Sequence, residues 1–152
     1  MELWSWLFPA TYILHILEEG LAGERFYNWS HRIIGRRIPA RAFLVLNASF
    51  LGLMVAAAVV LRSGEGPWLL PTLGTITALN GLGHFAGSVI TRSYSPGVIT
   101  GLLLWMPLGI AALLLSKQAL PMGAWWQGVI AGLLSSGLVV CSALLAGRGT
   151  TR

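Results

Sequence analysis

The sequence predicts an all-α integral membrane bundle of five transmembrane helices in a single domain. Three observations carry that prediction: an apolar composition, five apolar stretches of spanning length, and an uneven distribution of arginine. Of the 152 residues, 55% are hydrophobic and 10% charged, with a mean hydropathy of +0.73. A soluble domain carries roughly 25% charged residues, so most of this chain cannot be wetted. The charge present is basic, five Glu and no Asp against one Lys and nine Arg, giving a net +5. On an apolar chain that excess points to anionic lipid headgroups and away from nucleic acid. Cys141 stands alone, which excludes four-thiolate metal sites, iron-sulfur clusters and paired-cysteine redox motifs. Any metal must be held by His, carboxylate or amide.

A bilayer core takes about 20 apolar residues per helix. The first stretch of that length covers residues 3–20. The sequence starts Met-Glu-Leu-Trp-Ser-Trp without the positive n-region of a signal peptide, so the stretch is read as a span. A basic segment from Arg25 to Arg41 separates it from the second, 42–61. The third, 68–90, follows a Gly-rich turn from Arg62 to Pro67. The fourth, 97–116, begins just after Pro96, where the proline ring presets the backbone for a helix start. The fifth, 123–145, follows a turn from Lys117 to Met122. Glycines spaced by four at Gly83 and Gly87, Gly97 and Gly101, and Gly128 and Gly132 read as seams where helix backbones approach closely.

Arginine and lysine are retained on the cytoplasmic side of a membrane. With the N-terminus outside, the inner segments hold Arg25, Arg32, Arg36, Arg37, Arg41, Arg92, Arg148 and Arg152, and the outer ones only Arg62 and Lys117. Tryptophan prefers the headgroup level, and Trp4, Trp6, Trp68, Trp125 and Trp126 fall at the outer ends of spans. Both signals give N-out/C-in, and a bacterial inner membrane is the expected location. In the first cytoplasmic loop Phe26, Trp29 and Ile33 share one helical stripe and Arg25, Arg32 and Arg36 another. Such a segment is expected to lie in the interface, apolar side in the acyl boundary and arginines at the phosphates. His31 lies off the apolar stripe and is expected to be solvated.

Ionisable groups inside a span cost at least a few kcal/mol, so each requires a reason. In the first span His15, Glu18 and Glu19 occur as His-Ile-Leu-Glu-Glu, and spacings of three and four put both carboxylates one turn from the imidazole. In the third span Asn80 and His84 are spaced by four; Asn47 is the strong amide of the second. The topology puts all six in the inner leaflet, so three helices deliver two His, two Glu and two Asn to one layer.

The order His15-x-x-Glu18-Glu19, then Asn80-x-x-x-His84, then Tyr94-x-Pro96-Gly97 resembles the HXXEE family of small multi-span membrane proteins. The resemblance runs from the first span to the start of the fourth. It supports the choice of residues and implies no particular reaction.

Three readings fit these residues. In the first, His15, Glu19 and His84 ligate a divalent ion such as Zn, Fe or Mn, and Glu18 is the general base for water activated at an open position. The set then resembles the His-x-x-Glu-His arrangement of inverted zinc peptidases or, with iron, a two-His, one-carboxylate triad doing oxidative chemistry. In the second, no metal is present, and a desolvated glutamic acid works with an ionised Glu or a neutral His as acid and base, for isomerisation or cyclisation of an isoprenoid. In the third, the groups hydrogen-bond between helices or pair with Arg25 or Arg41, in a binding or structural protein. The first two make the chain an enzyme on a lipid-like substrate, with Glu18, Glu19, His15, His84 and Tyr94 catalytic and Asn47, Asn80, Tyr94 and Gly97 contacting substrate. The expected partners are membrane lipid and a hydrophobic small molecule, with a homo-oligomer compatible with the pattern.

Overall fold

The computed structural model describes residues 4–35 and 37–146; Leu3, Arg36, Arg148 and Arg152, used above to place the first span and the basic residues, lie outside them. A 3-10 turn, Trp4–Trp6, leads into α1 (Leu7–Leu21). Two single-turn helices, α2 (Phe26–Trp29) and α3 (His31–Ile34), precede α4 (Ala40–Arg62). The chain continues through α5 (Leu69–Thr91), α6 (Val98–Ala119) and α7 (Met122–Ala146). Among the described residues all regular structure is helical, and the five long helices coincide with the five apolar stretches.

Three of these helices, α4, α6 and α7, are long and apolar enough to cross a membrane. With 15 residues, α1 reaches only about 22 Å at 1.5 Å per residue. The 23-residue α5 has the length, but Thr, Gly, Asn80 and His84 dilute its apolar character. Large aliphatic side chains cover the outside of the bundle, and polar groups are buried among the apolar ones inside. Leu44, Leu53, Leu103, Leu134 and Leu138 are exposed, whereas His15, Glu19, Thr72, Thr75, Thr77, His84, Ser95 and Ser116 are buried. Hydrocarbon outside and polar groups inside is the distribution a bilayer favours.

Burial is concentrated on α5, which packs against both α6 and α7. Close crossing explains its small residues. A Cβ on Gly74 would lie 2.9 Å from the Gly109 carbonyl, and one on Gly81 2.5 Å from the Gly101 carbonyl. On the other side Gly128 and Gly132 of α7 pack against Pro71 and Thr75, and Thr72 Oγ1 donates to the Gly128 carbonyl (3.0 Å). Of the glycine pairs singled out by spacing, Gly83 is the departure: nothing lies within 4 Å of its Cβ position. Spacing identifies a face, and at Gly83 that face has no close neighbour.

On the opposite flank α1 packs against α4 and the start of α6. Phe8, Tyr12, Met54, Leu70, Leu73 and Trp105 form the main apolar cluster there. Inside α6 the turn from Gly101 to Trp105 is π-helical, with the Met106 N–H donating to the Gly101 carbonyl five residues back. Pro107 follows at once. It has no N–H, and its ring crowds the preceding turn, so the wider turn relieves that conflict. Gly101 and Trp105, at the two ends of the wide turn, are both buried.

Candidate functional site

The site is built on α1. One turn apart on the same face, His15 and Glu19 are 1% and 5% exposed, and His15 Nε2 lies 3.7 Å from Glu19 Oε1. From α5, His84, also 5% exposed, brings its Nε2 to 3.3 Å from the same oxygen. The two imidazole rings meet edge to face with centroids 4.9 Å apart. One ligand-type atom from each of the three residues falls within 4.8 Å of the others. The sequence therefore marked three side chains that the fold does bring together.

Both rings are held from behind. His15 Nδ1 is 2.7 Å from Thr100 Oγ1, and His84 Nδ1 is 3.1 Å from Ser95 Oγ. Ser95 is fixed in turn by its own N–H, which donates to Ser88 Oγ (3.0 Å). Trp105 stacks on His15 at 4.3 Å and Tyr12 stacks on Trp105 at 5.2 Å, so the imidazole sits at the end of a column of rings. Gly97 floors the site. Its φ of +98° is a conformation open to glycine, and a Cβ there would lie 2.7 Å from His84 Cε1 and 2.9 Å from His15 Cε1. Gly97, expected to contact substrate, packs against the two histidines.

Glu18, expected as a general base, accepts four hydrogen bonds. Oε1 accepts from the Tyr94 hydroxyl (2.5 Å) and the Ile99 N–H (3.0 Å), and Oε2 from the Thr100 N–H (2.7 Å) and hydroxyl (2.5 Å). Four donors occupy the carboxylate, which thereby satisfies the free N–H groups at the start of α6 and joins that helix to α1. Among the described residues neither Glu18 nor Glu19 pairs with an arginine; the Arg–Glu pair present is Arg32 with Glu24 (2.7 Å). Tyr94 is 44% exposed, and burial together with its bond to Glu18 pushes the phenol above its usual range, so it faces Glu18 as a donor.

The two amides divide. Asn47 is spent within the protein: its Oδ1 accepts from Tyr12 (2.6 Å) and its Nδ2 donates to the Phe43 carbonyl (2.9 Å), so it acts on the site only through the ring column. Asn80 lies beside the His15 ring. Its Oδ1 is buried without a hydrogen-bond partner, as are His15 Nε2 and Trp105 Nε1. Of the three such atoms among the described residues, one is on the His15 ring and the other two belong to residues in contact with it. Buried polar groups are ordinarily paired, and a cluster of orphans marks the place where a ligand, water or ion completes the set.

The loop ahead of α4 also departs from expectation. Trp29 is 2% exposed: its ring packs on Gly87 of α5 and its Nε1 donates to Ser93 Oγ (3.0 Å). Phe26 lies 5.2 Å from the His84 ring. Trp29 of the predicted lipid-facing stripe is thus folded inward with Phe26 beside the site, because α5 offers a glycine notch that fits an indole, while Ile33 stays exposed. Arg32 donates to Ser93 as well as pairing with Glu24, while Arg25 donates to the Tyr27 hydroxyl (2.6 Å). His31 is half-buried, its Nδ1 donating to the Asn28 carbonyl at 2.5 Å.

Thr100, Ser95, Tyr12 and Trp105 were not singled out from the sequence. A hydroxyl or indole in a span usually bonds its own helix or faces the headgroups, so the chain alone gives little signal for them. Their contacts come from the π-helical turn and from the path of residues 93–97.

A family model described as "Protein of unknown function with HXXEE motif" matches residues 6–112. Comparison with curated proteins and with solved structures returns no match. The matched region runs from the turn before α1 into α6 and contains every residue of the site.

Proposed function

The chain belongs to the HXXEE family, and on the geometry of its motif we propose that it is a membrane enzyme acting on a lipid-like substrate at a buried divalent-metal site. The ligands are His15, Glu19 and His84, and Zn, Fe and Mn suit such a donor set. One observation carries the reading: two imidazole Nε2 atoms from different helices converge on one carboxylate oxygen in the protein interior, among unpaired polar atoms. Around a tetrahedral ion with bonds of about 2.0–2.1 Å, ligand atoms stand roughly 3.3–3.4 Å apart, close to the 3.3 and 3.7 Å found here. A positive ion also offsets the cost of burying the Glu19 carboxylate. When bound, the ion supplies Lewis acidity or redox chemistry to substrate. The protein supplies fixed imidazoles, an Asn80 carbonyl that can accept from a hydroxyl or water, a Trp105 N–H that can donate to an oxygen, and the exclusion of bulk solvent by Phe26 and Trp29.

In this proposal α1 and α5 cross with α4, α6 and α7, N-out/C-in, in a bacterial inner membrane. The side of Arg25, Arg32, Arg41 and Arg92 is cytoplasmic, and the site lies in the inner leaflet beside the substrate's own lipid phase. The short reach of α1 is extended by its 3-10 turn, and lipid thins locally around short helices at modest cost. A second copy of the chain is compatible with this arrangement.

The 3.3 Å separation of His84 Nε2 and Glu19 Oε1 also favours a second reading, in which a proton is shared between them and the chemistry is metal-free acid and base catalysis. Elemental analysis separates the two. Stoichiometric metal in the purified protein, lost in both His15→Ala and His84→Ala, supports the metal centre. A metal-free protein that turns over an isoprenoid or lipid substrate removes the metal and favours the second reading.

A further inference from the structure

We infer that the first glutamate of the His-x-x-Glu-Glu motif acts through Thr100 to hold His15 as the Nδ1–H tautomer, which makes Thr100 a positioning residue for the His15 Nε2 lone pair. The inference deepens the metal reading and rests on it for its significance, but the tautomer is testable without any ion. Thr100 Oγ1 lies 2.5 Å from Glu18 Oε2 and 2.7 Å from His15 Nδ1, and it has one hydrogen to give. Each oxygen of Glu18 already accepts a backbone N–H, Ile99 at Oε1 and Thr100 at Oε2. If the Thr100 hydrogen pointed at His15, the hydroxyl lone pairs would face a carboxylate oxygen at 2.5 Å. A third acceptor, the Gly97 carbonyl, is more distant at 3.4 Å. The hydrogen therefore goes to Glu18, and Oγ1 must accept from His15 Nδ1–H.

A neutral imidazole protonated at Nδ1 carries its lone pair at Nε2. That atom is buried and faces Glu19 at 3.7 Å, with His84 and Asn80 also against the ring. The two glutamates of the motif thus divide the work: Glu19 faces the two imidazoles, and Glu18 lies behind His15, orienting the ring. Outer partners of this kind typically change metal affinity 10–100-fold when removed. The same contacts bind the start of α6 to α1, so the orientation of the ring depends on the seating of that helix.

The test uses full-length protein with 15N-labelled histidine, kept metal-free in detergent, and reads ring-nitrogen shifts by NMR alongside zinc affinity. Wild type and Thr100→Ser are expected to show His15 protonated at Nδ1 and to bind zinc alike. Thr100→Val, which keeps shape and loses the hydroxyl, is expected to shift the tautomer toward Nε2–H and weaken zinc binding roughly tenfold or more. The His31 resonance, remote in the loop, reports that each variant is folded. An Nε2–H tautomer in wild type overturns the inference, as does a Thr100→Val protein unchanged in tautomer. A tautomer that shifts as expected in a protein that binds no zinc supports the clamp and removes the metal reading alone.

Discussion

His15 and His84 stand edge to face across the Gly97 backbone, and the space that lets them do so is the missing side chain of that glycine. Gly97→Ala adds a methyl within 3 Å of both rings at a residue with φ of +98°. Backbone strain of this type costs about 1–3 kcal/mol, and the rings must also separate. The variant is expected to unfold at lower denaturant concentration than wild type and to lose zinc binding. Unchanged stability and affinity would show that the rings do not rest on this residue.

Glu18→Gln tests the anchoring of α6. Each carboxylate oxygen accepts a backbone N–H, so the amide group of glutamine must face a donor with a donor whichever way it turns. The expected loss of stability is about 1–3 kcal/mol, measured by unfolding in detergent. A wild-type midpoint would mean that these contacts contribute little and that Glu18 is free for other work.

Trp29→Ala separates an inward-folded loop from an interfacial one. A buried tryptophan replaced by alanine costs about 3–5 kcal/mol where the site cannot collapse. Trypsin added to the detergent-solubilised protein is expected to cleave after Arg25 and Arg32 much faster in the variant than in wild type. Equal cleavage rates contradict the packing of Trp29 on Gly87.

Gly81→Ala and Gly83→Ala form a matched pair on α5. The first places a Cβ 2.5 Å from the Gly101 carbonyl, and the second meets nothing within 4 Å. Thermal unfolding is expected to drop for Gly81→Ala and to stay near wild type for Gly83→Ala. The reverse order would mean that α5 is rotated about its axis relative to α6.

That pair also shows where the sequence is informative and where it is silent. His15, Glu19 and His84 were legible because an ionisable group in an apolar stretch has few explanations, and residues spaced by four share a face. The helices were legible for the same reason that apolar runs are long. Which glycine of α5 lies at the crossing was not, since Gly81 and Gly83 differ only in the face they occupy and the neighbour on that face is set by tertiary packing. Thr100 and Ser95 were hidden because hydroxyls are common in such helices and most bond their own backbone, as Thr75 does to Pro71. Trp29 misled because its stripe fits a membrane interface and a protein groove equally well; only the notch at Gly87 decides between them.

The account depends most on the convergence of His15, Glu19 and His84 being a coordination site. X-ray absorption on the zinc- or iron-loaded protein reads the ligands directly. The expected spectrum contains outer-shell imidazole scattering from two histidines with nitrogen and oxygen neighbours at about 2.0–2.2 Å, and it loses one imidazole in His84→Ala. A spectrum without histidine scattering, or a protein that retains no ion after purification and reloading, would contradict it.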